Sequence, residues 1–349
     1  MRTGIVKDGR FANHNMEPGH VESPERVEAL NRMVEERLKF PYLLIEPRLA
    51  SEDELGLIHT VEYIRRVKST AGEEHVFLDP DTSTSPLSWE TARLAAGGVL
   101  RAADSIMEGK VQNAMALVRP PGHHAEADAA KGFCLFNNIA IAAEYLVQNH
   151  GLRRILIADF DLHHGNGTQT AFYGRPDVLF FSTHQYPFYP GSGHWSEAGK
   201  GPGLGYTINV PLSAGKTDSD FLFIYGRLFA DVARQFRPEF ILVSAGFDIY
   251  GGDPLGGMDV SETGFAALAA ELVGLSDALC GGRLLVTLEG GYNLLGLGEG
   301  AEAVLLQMAA AAPRPDVPAK ASAGTMRELA PVIQTIVKSW KLEMQGQLT

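Results

Sequence analysis

Ile155-Leu-Ile-Ala-Asp159-Phe-Asp161-Leu-His163-His164-Gly165-Asn166-Gly167 runs from an apolar, β-branched stretch straight into two carboxylates and two imidazoles. The apolar part reads as a buried strand of a parallel sheet, where a continuous hydrophobic run replaces alternation. In an extended chain, side chains two apart share a face, so Asp159, Asp161 and His163 are expected to point the same way. Unpaired buried carboxylates are costly, and a bound cation compensates them. The stretch therefore reads as half of a metal site, with a structural ion-pair cluster as the plainer alternative.

Outward from there the pattern repeats. Strand-like runs at Ala114–Val118, Ile155–Ala158, Val178–Ser182, Tyr206–Val210, Phe240–Ser244 and Leu284–Leu288 alternate with helical stretches at Ile139–Val147, Phe221–Phe236 and Glu262–Leu279. That alternation predicts an α/β fold, a parallel sheet covered by helices on both faces. Four of the runs end in polar, Gly-rich sequence: Arg119-Pro-Pro-Gly-His123-His124, the Asp/His cluster, Ala-Gly-Phe-Asp248 and Glu289-Gly-Gly-Tyr292. Open α/β sheets bind ligands beyond the carboxyl ends of their strands, so these four endings are expected to meet. Asp161, His163 and Asp248 offer two oxygens and a nitrogen, a set suited to zinc, iron or cobalt. Tyr292 on its own reads equally as a core tyrosine, and a lone histidine as a core or surface residue, but the adjacent pair His123-His124 at a strand end favours function, more so beside a metal site.

Near the start, Ser23-Pro24-Glu25 has the form of an N-cap, a proline at N1 and a first-turn acid, followed by a stripe of Val27, Leu30, Val34 and Leu38. A Pro- and Ala-rich stretch divides the chain into a body over 1–311, a linker over 312–324 and a helical tail over 325–349, the helix expected around Met326–Trp340 and packed on the same domain.

Composition narrows the function classes. A formal charge of −12 opposes general affinity for nucleic-acid phosphates, so no nucleic-acid partner is expected. No run reads as long enough to span a bilayer, and the start lacks a signal-peptide core, so no membrane partner is expected. Cys134 and Cys280 form no disulfide framework or thiolate zinc motif, which predicts a reducing, cytoplasmic setting. Ala214-Gly215-Lys216-Thr217 ends like a phosphate-binding loop, but Val210 stands where its first glycine must be. No G-x-S-x-G nucleophile elbow is present.

Five motifs together carry a family resemblance: Gly19-His-Val-Glu-Ser-Pro-Glu-Arg26, Arg119-Pro-Pro-Gly-His-His124, Gly132-Phe-Cys-Leu-Phe-Asn-Asn138, Asp159-Phe-Asp-Leu-His-His-Gly-Asn-Gly167 and Glu289-Gly-Gly-Tyr-Asn293. Over about Gly19 to Gly300 the chain resembles the zinc-dependent deacetylases that include histone deacetylases, acetylpolyamine amidohydrolases and acetoin-utilisation proteins. Ser-Pro-Glu-Arg, Asn166 and Glu289-Gly-Gly-Tyr look more like class II and bacterial members than class I. The resemblance implies the single-domain arginase–deacetylase fold and one catalytic Zn2+ held by Asp161, His163 and Asp248. It implies His124 as general base for the attacking water and then acid for the leaving amine, His123 backed by Asp159 as electrostatic aid, and Tyr292 as oxyanion donor. It implies structural K+ at Asp159, Asp161, His163, Ser182 and Thr183, and a second ion near Phe172, Arg175, Val178 and Tyr206. Phe133 and Tyr189 would line an acyl tunnel with Gly132, Gly290 and Leu255 nearby, and Asp81, or its neighbour Asp79, would grip substrate backbone at the rim.

Two departures stand out. Asn166 replaces the class I carboxylate behind His124, which should leave that ring less basic. Asn13-His14-Asn15 replaces the usual two-histidine opening of the N-terminal motif. Leu255 occupies the position where polyamine specialists carry an acidic gatekeeper, so acetyl-lysine or a related small amide is the expected substrate and an acetylpolyamine the alternative. A binuclear ureohydrolase of the arginase type and a non-catalytic acyl-lysine binder are the remaining readings, and an oligomer is possible.

Overall fold

The structure is a computed structural model and describes residues 2–342. Among the described residues ten strands form: β1 (Thr3–Val6), β2 (Tyr42–Ile45), β3 (Val76–Asp79), β4 (Thr82–Thr84), β5 (Asn113–Ala116), β6 (Ile155–Asp159), β7 (Val178–Gln185), β8 (Thr207–Leu212), β9 (Phe240–Ala245) and β10 (Leu284–Leu288). Eight make one sheet in the order β2-β1-β5-β10-β9-β6-β7-β8, and β3 and β4 make a small antiparallel pair. Every pairing in the large sheet is parallel.

Alternation along the buried strands feeds two cores. Leu156, Ala158, Leu179, Phe181, Ile241 and Val243 pack into one, while Ile155, Ile157, Val178, Phe180, Phe240 and Leu242 pack into the other. Both faces are dry, so the strands read as unbroken apolar runs. The six strands expected from sequence all form, with ends moved by a few residues. The additional β1 and β2 are four residues each, and β1 contains Gly4, whose Cβ would come within 2.5 Å of Ile45.

Three expectations need correction. Ser23 occupies the cap position before the Pro24–Glu36 helix, but its hydroxyl makes no cap bond; it holds Glu25 instead. The stretch read as one helix over Phe221–Phe236 starts at Asp218 and widens into a π-helical turn at Ile224–Phe229. The helix Glu262–Cys280 does have the length and mean hydropathy, 1.4, of a membrane span. It packs against the Leu294–Met308 helix and β9, with Phe265, Leu268, Leu272 and Leu275 in the core.

The tail helix runs Ala323–Ile336 and seats Leu329, Val332, Ile333 and Ile336 in the same core; residues 343–349 of the expected tail lie outside the described residues. Trp340, beyond its end, donates from Nε1 to the Gly205 carbonyl at 2.8 Å.

The topology places the site. From β6 the chain moves to β7 and β8 on one side, and from β9 to β10 on the other. Neighbours β6 and β9 thus begin runs in opposite directions, which opens a crevice between their carboxyl ends. The four strands with polar endings, β5, β10, β9 and β6, are adjacent at the centre of the sheet.

Candidate active site

Strand β6 stops at Asp159, so pleat alternation does not deliver the residues beyond it. Carboxylate-capped turns do. Asp159 accepts the Asp161 N–H at 3.1 Å and Asp161 accepts the His163 N–H at 2.9 Å, each bond reaching two residues on. Asp161, His163 and Asp248, which lies three residues beyond the end of β9, converge, buried, with one ligand atom from each within 4.8 Å of the others. His163 Nδ1 lies 3.2 Å from both Asp161 Oδ1 and Asp248 Oδ2. Backbone amides take further lone pairs: Gly290 N–H donates to Asp161 Oδ2 and Leu162 N–H to Asp248 Oδ1. Asp159 stands outside this trio and accepts from His123 Nδ1 at 3.0 Å.

The trio is electrostatically incomplete by itself. Burial and the adjacent Asp161 carboxylate push Asp248 up to about 7, while His163 is drawn up to about 9 by the two carboxylates against the effect of burial. Two buried carboxylates facing one imidazole is the arrangement a divalent cation neutralises. The donor set, two oxygens and one nitrogen, fits zinc.

His124 sits beside this trio with its protonation pattern set by neighbours. The Asn166 Nδ2 group donates to Glu126 Oε1 at 2.7 Å, and since a carboxylate only accepts, Asn166 Oδ1 must face His124. That oxygen lies 2.8 Å from His124 Nδ1 and can only accept, so Nδ1 carries the proton and Nε2 keeps its lone pair. Burial, reinforced by the charges on His123 and His163, holds the His124 pKa well below the ordinary histidine value. His123 goes the other way: burial opposes its charge, but Asp161 and Asp159 raise it to about 10.

Tyr292 follows the Gly290-Gly291 turn after β10. Its N–H donates to Asp253 Oδ2 at 2.7 Å, and the Arg26 guanidinium lies 4.9 Å from its ring centre. Burial raises its pKa well above the ordinary tyrosine value, so the hydroxyl stays a donor. His124, His163 and Tyr292 open into one cavity of about 250 Å³, walled by Phe133, Tyr189, Phe188, Leu255, Gly132 and Asp81. Tyr189 meets His124 edge-on at 5.2 Å, and Phe133 meets Tyr292 edge-on at 5.9 Å. Gly132 has φ +54, and a Cβ there would lie 2.2 Å from the His124 ring, so no side chain fits.

Other candidates are placed as follows. Asp81, not Asp79, lines the cavity; Asp79 accepts the Asp81 N–H. Asp81 Oδ1 already accepts from Gly132 N–H and the Thr82 hydroxyl. Gly290 is not among the wall residues and lies against Asp161 and Asp248 instead. Ser182 pairs with Asp159 in the sheet, and the Thr183 hydroxyl meets Tyr225, which donates to the Asp159 carbonyl. Arg175 lies over Phe172 and pairs with Asp177 and Glu144. Val178 begins β7, and the Tyr206 carbonyl accepts the Phe180 N–H. His14 is buried with Nδ1 on Ser88.

Several positioning residues were not singled out from sequence. Arg119 pairs with buried Glu22, and Arg26 bonds Glu22 and the Glu289 and Gly291 carbonyls. Burial pushes Glu22 up, but Arg119 and Arg26 outweigh it and leave it below the usual carboxylate range. Glu289 accepts the Gly122 and His123 N–H groups and the Ser244 hydroxyl. Asp253 holds the amides of Leu255 and Tyr292 together. Glu22, Arg26, Arg119 and Glu289 lie within the five motifs, and that was the available signal; Asp253 lies outside them.

A histone deacetylase domain model matches residues 20–308. The chain is 38% identical over 299 residues to a probable deacetylase of Archaeoglobus fulgidus, covering 85% of this chain and 83% of that one. It is 43% identical over 292 residues to human polyamine deacetylase HDAC10, covering 80% of this chain but 43% of the relative. To histone deacetylase 15 of Arabidopsis thaliana the figures are 40% over 305 residues, 86% and 54%. The chain therefore spans about half or less of these two eukaryotic relatives. The crystal structure of an HDA15 HD domain superposes with a TM-score of 0.91 at 37% identity, covering 97% of both chains.

Proposed function

The chain belongs to the histone deacetylase family, and from that premise we propose that it is a zinc-dependent amidohydrolase releasing acetyl or another short acyl group from an N-acylated amine. The observation that carries this reading is the meeting, in one narrow cavity, of a buried Asp–His–Asp trio, a His124 Nε2 with its lone pair free, and the Tyr292 hydroxyl.

Asp161, His163 and Asp248 would hold the zinc, which would supply Lewis-acid polarisation of the scissile carbonyl and lower the pKa of water toward neutrality. His124 takes the proton of the attacking water at Nε2 and returns it to the leaving amine. Asn166 keeps the ring in the tautomer this requires. The Tyr292 hydroxyl donates to the carbonyl oxygen as negative charge builds there. Phe133 and Tyr189 enclose the aliphatic stem and exclude water.

A structural potassium ion at Asp159, Asp161, His163, Ser182 and Thr183 belongs to the same reading, as does a second near Phe172, Arg175, Val178 and Tyr206. Ser182 lies 2.9 Å from His184 Nδ1 and can give it its proton, which leaves oxygen lone pairs for a cation. Two free cysteines, one buried, suit a cytoplasmic setting.

For substrate we favour acetyl-lysine peptides or small amide analogues over acetylpolyamines. Leu255 lines the cavity with an apolar side chain that cannot pair with a distal ammonium. Wild-type kcat/KM on a fluorogenic acetyl-lysine amide, on acetylspermidine and on acetylputrescine tests this. A higher value for the lysine amide is expected, with Leu255→Glu moving preference toward the polyamines. Strong wild-type preference for acetylpolyamines overturns the substrate assignment, and full activity in zinc-free protein overturns the chemistry.

A further inference from the structure

The second histidine of Asp161-Leu-His163-His164 takes no part in the chemistry above. Where His163 turns to Asp161 and Asp248, His164 turns away and meets another buried ring, His184, at 4.8 Å with the two planes tilted by 56°. The hydrogen bonds around the pair form a closed circuit. His184 Nε2 lies 2.8 Å from the Gly193 carbonyl and must donate to it, so Nδ1 accepts from Ser182. His164 Nε2 lies 3.1 Å from Gln169 Oε1, and its Nδ1 lies 2.8 Å from the Ser192 hydroxyl. Gln169 is oriented by donating to Glu197, a carboxylate that only accepts, so its oxygen faces His164 and that ring is also the Nε2–H tautomer. Glu197 then accepts the N–H groups of Gly193 and His194, which closes the circuit.

All of these bonds converge on one end of the loop that leaves β7. Gly193 sits at φ +90, where a Cβ would lie 2.4 Å from His184 Nε2 and 2.7 Å from His164 Cγ. A few residues earlier the same loop presents Phe188, stacked on His163 at 5.6 Å, and Tyr189, edge-on to His124. At its start, Tyr186 N–H donates to the Leu212 carbonyl of β8. The tunnel wall is therefore suspended between a strand and a buried imidazole pair.

We propose that His164 and His184 are positioning residues that fix the Phe188–Tyr189 wall through Ser192 and Gly193, and so restrict the acyl group the tunnel accepts. This rests on the deacylase reading given above. A loosened wall admits a longer acyl chain and holds a short one less well in line, which costs rate on acetyl more than on butyryl substrates.

The test uses the zinc-loaded full chain as wild type, Ser192→Ala, Ser192→Thr, Glu197→Ala and His164→Gln. Zinc content, kcat and KM on acetyl-lysine and butyryl-lysine amides, and amide exchange over 186–195 are measured. Ser192→Ala and Glu197→Ala are expected to keep zinc and to exchange faster at Gly193 and His194. Their kcat/KM on acetyl should fall about tenfold, with the butyryl-to-acetyl ratio rising about threefold or more. Ser192→Thr should restore the wild-type ratio, and His164→Gln should shift it further. Equal losses on both substrates, or an unchanged ratio, overturn the proposal. If wild type hydrolyses neither amide, the deacylase reading fails by itself. Loop exchange then decides the positioning role, and unchanged exchange in Ser192→Ala refutes it.

Discussion

At His124 a single neutral contact decides which nitrogen can act as a base. Asn166 accepts from Nδ1 and is locked by Glu126, a residue that sequence reasoning did not connect to the dyad. Asn166→Asp by itself sets a second carboxylate against Glu126, so the informative protein is Asn166→Asp with Glu126→Gln. A carboxylate stabilises the imidazolium, the His124 pKa rises, and the acid limb of the kcat/KM profile should move to higher pH. An unmoved limb would show that this contact does not tune the base. In the proposed reaction Tyr292 is the oxyanion donor. Tyr292→Phe should retain zinc and fold while kcat drops about 10²–10³-fold. Metal analysis beside turnover checks it, and near-normal turnover assigns the oxyanion to another donor. Tyr292 was readable because it follows Glu-Gly-Gly at a strand end. Asp253 was not, since its work is to hold three backbone amides, those of Leu255, Tyr292 and Asn293, from a loop.

Among the loops behind the strand ends, His59 ties two of them together. Its Nε2 accepts the Asn137 N–H at 2.9 Å, which requires the neutral ring, and its Nδ1 donates to the Glu126 carbonyl at 2.9 Å. Burial lowers its pKa to about 4. In the unfolded chain histidine titrates near about 6.5, so between those values the unfolded state binds the extra proton and stability falls as pH falls. His59→Asn should be destabilising at pH 7, but the gap to wild type should narrow by about 1.4 kcal/mol per pH unit below about 6.5 and level off near the folded value. Urea unfolding at pH 7 and pH 5 measures this, and a constant gap refutes it. Strands β5 to β10 were legible as elements because each is a largely buried apolar run. Strands β1 and β2, four residues each, carry no periodicity of their own and become strands only by pairing.

Across the whole molecule the candidate metal trio joins the segments that follow β6 and β9, the two strands where the winding reverses. Without a cation, Asp161 and Asp248 oppose each other's charge, as the raised Asp248 shows. Zinc should therefore raise the Tm of wild type, because ligand that binds only the folded state stabilises it. Asp248→Asn should abolish that rise while lifting the Tm of the zinc-free protein, since it removes the buried repulsion. A zinc-dependent Tm in Asp248→Asn, measured by differential scanning, would place the ion elsewhere.

By itself the sequence determined the α/β class, the parallel sheet and the four strand endings that carry the chemistry. Those follow from local pattern: continuous apolar runs between helical periods, with acids, imidazoles and glycines where the runs stop. The tertiary structure alone decided that β5, β10, β9 and β6 lie side by side, that Asp159 stands outside the Asp161–His163–Asp248 trio and pairs with His123, and that His164 turns from that trio to the loop after β7. It also decided that Arg26, on the buried face of an amphipathic helix, reaches the Tyr292 turn. Such contacts join residues up to hundreds of positions apart, and the free energy of burying a charge depends on which partner the fold brings to it, a quantity that no local pattern encodes.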